Sequence, residues 1–172
     1  MPGEGAENAE IMFVGEGPGF HEDQQGRPFI GAAGKFLDEL LGSINLTRAD
    51  VYICNVVKCR PPSNRDPQQE EIAACAPWLE QQLEIIKPRV IVTLGRFSMN
   101  QYFKGQTISR IHGQPKEIDG QLVVPMYHPA AALHQANLRS TIMDDFKKLP
   151  ALVEEALSKE PAEPEPVQMQ LL

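Results

Sequence analysis

The chain has 172 residues, enough for one domain and a short tail, and its 42% apolar content supplies a core of ordinary size. No run approaches the ~18 apolar residues of a membrane span, and the opening MPGEGAENAE lacks a signal-peptide pattern, so a soluble cytoplasmic protein is expected. The net charge of −7 gives nucleic-acid binding no support in bulk. Much of it, however, lies after Ala151, where five glutamates (154, 155, 160, 163, 165) stand against Lys159, and a mildly acidic body can still carry a basic face.

In chain order, the first predicted strand is Ile11–Gly15 (IMFVG), followed by a helix over Ala33–Leu41 with Phe36, Leu37, Leu40 and Leu41 on one stripe. A second strand covers Val51–Val57 (VYICNVV). The spacing of Ile72, Cys75, Leu79, Leu83 and Ile86 predicts a long helix over Pro67–Ile86, with Asp66 as N-cap, Pro67 at the first position, Gln69 as capping-box partner and Pro88 as its stop. The strand Val90–Gly95, a short helix Phe97–Phe103, the strand Leu122–Met126 and a helix Met143–Leu157 complete the series. The strands do not alternate cleanly and are rich in Val and Ile, as suits a parallel sheet covered on both faces. Strands interleaved with helices indicate an α/β layered domain. From Glu160 proline alternates with glutamate, a composition that builds no core. The folded domain is therefore expected over 1–158 and a disordered tail over 159–172.

Cys54, Cys59 and Cys75 make an odd number without a secretion signal, which argues against a disulfide framework and leaves burial or metal ligation. Four other constellations fall at or just after the carboxyl ends of predicted strands. Gly15-Glu16-Gly17-Pro18-Gly19 lets backbone approach a ligand closely but lacks the Lys-Ser/Thr pair of a phosphate loop; Glu16 and Glu22 place carboxylates beside it. Gly26-Arg27-Pro28-Phe29-Ile30-Gly31 holds an aromatic that is either a core plug or a stacking platform. Asn55 ends the second strand, and its amide must be satisfied by backbone or by a ligand; Lys58, Arg60 and Arg65 follow, close enough to hold phosphates. Tyr127-His128-Pro129 ends the fourth strand. In an open α/β sheet this shared placement predicts a site at the sheet top.

FVGEGPGFHEDQQGRPFIGAAGKFLDELL, YICNVVKCRPPSNRDPQQEEIAAC and YHPA, in this order and spacing, resemble the family 4 (iron–sulfur, thermostable-type) uracil-DNA glycosylases from about Gly3 to about Pro150. The resemblance implies a three-layer α/β/α sandwich around a four-stranded parallel sheet. It also implies an enzyme that flips uracil out of DNA and hydrolyses its N-glycosidic bond. By position Phe29 matches the stacking aromatic, Asn55 the residue that reads the uracil edge and His128 the histidine beside uracil O2. Glu16 and Glu22 match the acids proposed to orient or activate water, with backbone around Gly17 as the alternative. Leu133 matches the wedge that presses into the duplex, and Arg139 a phosphate contact.

Family members carry a four-iron, four-sulfur cluster on four cysteines. Cys59 and Cys75 match the second pair, and nothing in this chain matches the first, a Cys-x-x-Cys expected upstream of Gly3. Two thiolates are too few for such a cluster. A late start of the given chain, loss of the cluster, or completion by Cys54 and another ligand would each explain the shortfall; the family pattern at Gly3-Glu4-Gly5 favours the first. The ending Gln168-Met169-Gln170-Leu171-Leu172 resembles the short peptide by which bacterial repair proteins grip the sliding clamp, with Gln168, Leu171 and Leu172 as its anchors. The expectation is thus a monomeric enzyme of the bacterial cytoplasm and nucleoid acting on uracil-containing DNA, with no membrane partner. The competing readings are an inactive DNA-binding or polymerase-associated module of the same fold, and a small-nucleotide hydrolase.

Overall fold

A computed structural model describes residues 1–159; the tail motif around Gln168, Leu171 and Leu172 lies outside them. Six strands form one mixed sheet: β1 (Glu4–Gly5), β2 (Ile11–Gly15), β3 (Tyr52–Asn55), β4 (Val90–Leu94), β5 (Lys116–Ile118) and β6 (Gln121–Met126). Their order is β1-β3-β2-β4-β6-β5. The four predicted strands are the parallel centre, with β2 between β3 and β4 and β4 beside β6. The expected four-stranded sheet is widened by two antiparallel edges, β1 against β3 and β5 against β6. Both are too short to give a periodic signal, but β5 carried a legible one: Asp119-Gly120 has positive φ at both residues, 50° and 76°, the turn that joins two antiparallel strands.

Nearly every residue of the central strands is buried because both faces are covered. From β2, Ile11 and Phe13 enter one core with the helix α2 (Ala32–Ser43) and the C-terminal pair α7 (Leu138–Lys147) and α8 (Leu149–Ser158). Met12 and Val14 enter the other with α3 (Gln69–Ile86). Phe13 stacks on Phe146 at 5.6 Å between ring centroids. Burying a side chain of this kind contributes about 1.5–3 kcal/mol, which is why successive strand residues are all apolar. The remaining helices are short: α1 (Phe20–Gln25), α4 (Arg96–Met99), α5 (Ile108–Ile111) and α6 (Ala131–His134).

Helix ends depart from expectation for local reasons. The cap of α3 is Gln68, in a reciprocal capping box with Glu71, rather than Asp66, whose carboxylate pairs with Arg96. The single helix expected over Met143–Leu157 is two, because Pro150 lacks an amide hydrogen and starts a new helix in its first turn. The helix expected at Phe97–Phe103 ends at Met99. Among the described residues no helix is long and apolar enough to cross a membrane.

Candidate active site

The parallel centre brings four carboxyl ends to one edge of the sheet. There Gly15 and Asn55 are direct partners across β2 and β3, and β6 delivers Tyr127 and His128 just past Met126. A cleft of about 430 Å³ opens over this edge, lined by Glu16, Gly17, Glu22, Phe29, Asn55, Arg65 and His128 among others. Gly15 lies between two of its lining groups: a Cβ there would lie 2.5 Å from Asn55 Oδ1 and 2.8 Å from the Phe29 ring. Any other residue would push apart the amide and the aromatic that the cleft brings together.

Phe29 is held in the left-handed backbone region, with φ of 53°, a costly conformation for a bulky residue. Two contacts sustain it. Gly34 lets α2 approach so closely that a Cβ would sit 1.7 Å from the Phe29 carbonyl oxygen. The Arg48 guanidinium donates to the carbonyl oxygens of Pro28, at 2.7 Å, and of Phe29, while its Nε is anchored on Asp38 at 2.6 Å. Arg48 is a positioning residue the sequence reading missed. Nothing in its surroundings, INLTRADVYIC, marks it out, since its partners, the Asp38 carboxylate and the Pro28 and Phe29 carbonyl oxygens, all lie earlier in the chain.

The rings of Phe29 and His128 lie 5.3 Å apart and within 23° of parallel. At that separation no base fits between them. His128 Nδ1 accepts from the Ala130 amide at 3.1 Å, which leaves the proton of the neutral ring on Nε2. Burial pushes the ring's pKa down to about 4, against an opposing pull from Glu22. At neutral pH the side chain is therefore an uncharged N–H donor. Asn55 is buried, and among the described residues its side-chain amide meets no protein hydrogen-bond partner, although its backbone carbonyl accepts from Lys58 Nζ at 2.7 Å.

The two carboxylates differ. Glu22 Oε1 accepts from the amides of Ile30 (3.1 Å) and Gly31 (3.3 Å), tying α1 to the loop that carries Phe29. Glu16 is half-buried, and burial first and then the Asp66 charge raise its pKa, with Arg96 acting in the opposite sense. A carboxylate held in a partly dry cleft with a raised pKa suits proton transfer.

Around the mouth, Leu133 on α6 is half exposed. Arg65 forms a bidentate pair with Glu71, and Arg139 pairs with Glu39 while lying over the Phe36 ring. Lys58 requires correction. Its ammonium is turned inward onto Asn55 O and Gln82 Oε1, so it braces β3 and is not available to a phosphate.

The cysteines do not fit a four-iron, four-sulfur cluster. Cys75 Sγ accepts from the Lys58 amide at 3.3 Å, close to the exposed Cys59. Cys54 cannot complete the pair: it is fully buried in the core on the α3 face, where burial pushes its thiol up to about 11. Among the described residues no group of three or more His, Cys, Asp or Glu side chains stands ready to hold a metal.

The chain is similar to known proteins over most of its length. The family model described as "Uracil DNA glycosylase superfamily" matches residues 2–153. The "Type-4 uracil-DNA glycosylase" of Sulfurisphaera tokodaii is 51% identical over 162 residues, covering 87% of this chain and 72% of the relative. That of Saccharolobus solfataricus is 48% identical over 94% of this chain and 77% of its own, and that of Archaeoglobus fulgidus is 52% identical over 87% and 79%.

Proposed function

The chain belongs to the uracil DNA glycosylase superfamily and, within it, to the type-4 uracil-DNA glycosylases, and from that premise we propose how its own residues cut uracil from deoxyribose in DNA. The chain is a hydrolase of the N-glycosyl bond, and its product is an abasic site. The observation that carries the residue assignment is the convergence of Phe29, Asn55 and His128, from three separate segments, on one cleft.

Uracil leaves the base stack, at a cost of a few kcal/mol, and stacks on Phe29 with its O2 at the edge of the His128 ring. Asn55 accepts from uracil N3–H through Oδ1 and donates to O4 through Nδ2. Cytosine presents the reverse pattern and leaves buried groups unpaired, which rejects it. As the bond between C1′ and uracil N1 breaks, its electron pair goes to the base, and the neutral His128 donates Nε2–H towards O2, where negative charge grows. Water adds to C1′ and gives its proton to Glu16. Glu22 orients the Phe29 loop and adds negative charge beside the electron-poor sugar, with the Gly17 backbone lining the water's position. Arg60, Arg65 and Arg139 attend the strand's phosphates, and Leu133 fills the space the extruded nucleotide leaves. The enzyme works as a monomer on cytoplasmic, nucleoid DNA.

A single-uracil oligonucleotide incubated with the enzyme and then treated with alkali should be nicked at the uracil; an intact strand would identify an inactive module of the same fold. Glu16→Gln should slow single-turnover cleavage far more than Glu22→Gln, and equal full rates for both would remove the water-activation role from each. The segment Gln168–Leu172 is assigned to a bacterial sliding clamp: a polar anchor and two apolar side chains suit a shallow apolar pocket. Deleting these five residues should abolish clamp binding while leaving cleavage intact.

A further inference from the structure

We propose that Phe20 and Arg60 together form a seat for an unpaired DNA base beside the extruded uracil, giving the enzyme a tighter grip on single-stranded than on duplex DNA; the proposal rests on the reading of the cleft as a uracil-excision site. Phe20 opens α1 between Gly19 and Glu22, both of which line the cleft, yet 47% of its surface is exposed. Leu133, at 50%, is exposed as well, on α6, whose Ala131 and His134 line the cleft. The two walls are chemically unlike. An aliphatic wedge fills a gap, whereas an aromatic ring offers a π-face on which any base can stack.

Phe20 is not alone. The Arg60 guanidinium lies over its ring, 5.0 Å from the centroid, and the His21 ring meets it edge-on at 5.4 Å. Arg60 Nε donates to Asn64 Oδ1 at 2.7 Å, so the guanidinium is held in place over the ring. The turn that supplies Asn64 is itself shaped for this: Ser63 and Asn64 both have φ of 54°, and Pro61, Asn64 and Arg65 line the same cleft. Arg65, Arg96 and Arg139 each have a carboxylate partner; Arg60 has none among the described residues. A chain of net charge −7 thus keeps an uncompensated cation beside an exposed ring at the mouth of its site. A π-face for a base and a free positive charge for the adjoining phosphate are the two elements of single-strand recognition. In a duplex the neighbouring base stays paired and stacked, so the seat engages only where the strand is free.

The test is the affinity of the full chain for oligonucleotides carrying 2′-fluorinated deoxyuridine, whose glycosidic bond resists cleavage, in single-stranded and duplex form, repeated with uracil-free single strands. Phe20→Ala should weaken single-strand binding by roughly 5- to 150-fold and duplex binding much less, with Phe20→Trp restoring affinity. Arg60→Ala should flatten the dependence of log affinity on log salt by about 0.7–1. Trp78→Ala, an exposed aromatic away from the cleft, is the control and should bind as the parent does. Single-strand affinity of Phe20→Ala or Phe20→Leu within twofold of the parent, or equal losses on single strand and duplex, would overturn the seat. Failure of the parent enzyme to nick a uracil oligonucleotide would instead strike the glycosylase reading, and the uracil-free affinities would still report on Phe20.

Discussion

Two regions grow from the end of β3 within five residues of each other, and they differ in how complete they are. At Asn55 the chain enters a cleft in which each working group has a partner that sets its position: Gly15 beneath the amide, Arg48 and Gly34 behind Phe29, the Ala130 amide on His128, the Ile30 and Gly31 amides on Glu22. At Cys59 it enters a surface with two thiols near one backbone amide, beside α3, where Trp78 is 60% and Ile85 73% exposed. The cleft is preorganised by the chain's own residues. The difference teaches that the groups of the cleft hold one another in place, whereas Cys75 touches that network at one point: its Sγ accepts from the Lys58 amide, and the Lys58 ammonium bonds Asn55 O.

That contrast can be broken most directly at the cleft. His128→Ala and Asn55→Ala should each lower kcat/KM on a uracil oligonucleotide by about 100- to 1,000-fold, the usual effect of removing one donor aimed at developing charge or leaving a buried polar edge unread; retention of a tenth of the activity by either would undo the convergence argument. Arg48→Ala should come next, at about 10- to 100-fold, because Phe29 loses the contact that holds its left-handed backbone and small misplacements are expensive in rate. Arg48→Lys should not restore activity, since an ammonium cannot span both carbonyl oxygens.

The pH profile sharpens the comparison further. Cleavage needs Glu16 ionised, so activity should fall as pH drops through a midpoint above 4.5, in the direction set by burial and Asp66. His128, already neutral down to about 4, should not shape that limb. Asp66→Asn should move the midpoint lower and Arg96→Ala should move it higher; a midpoint indifferent to both would separate Glu16 from the reaction. The smallest effect is expected in the incomplete region. Cys59→Ser should change the cleavage rate of this 172-residue chain less than twofold, and neither form should show the visible absorbance of a thiolate–iron cluster. A brown protein that bleaches on Cys59→Ser would mean that the described donors are supplemented from elsewhere.

Much of this molecule was readable from its residues. The four central strands are short Val- and Ile-rich runs because both of their faces meet helices, and that pattern survives without any knowledge of the partners. The edge strands were not readable, being two and three residues long, although the Asp-Gly turn before β6 announced one of them. Lys58 shows the limit for charged side chains. In sequence it stands in a basic, proline-rich loop with Arg60 and Arg65, and only the fold reveals that Gln82, on α3, captures its ammonium.

The sequence by itself determined the layered α/β class and pointed to the sheet-top edge where the cleft opens and to the residue types that line it, because strand composition and short motifs are local properties. Tertiary structure alone decided which way those groups face and what holds them. The backbone of Phe29, the tautomer of His128, the inward turn of Lys58 and the isolation of Cys54 all depend on atoms far away along the chain, and contacts of that kind leave no periodic trace in the residues that make them.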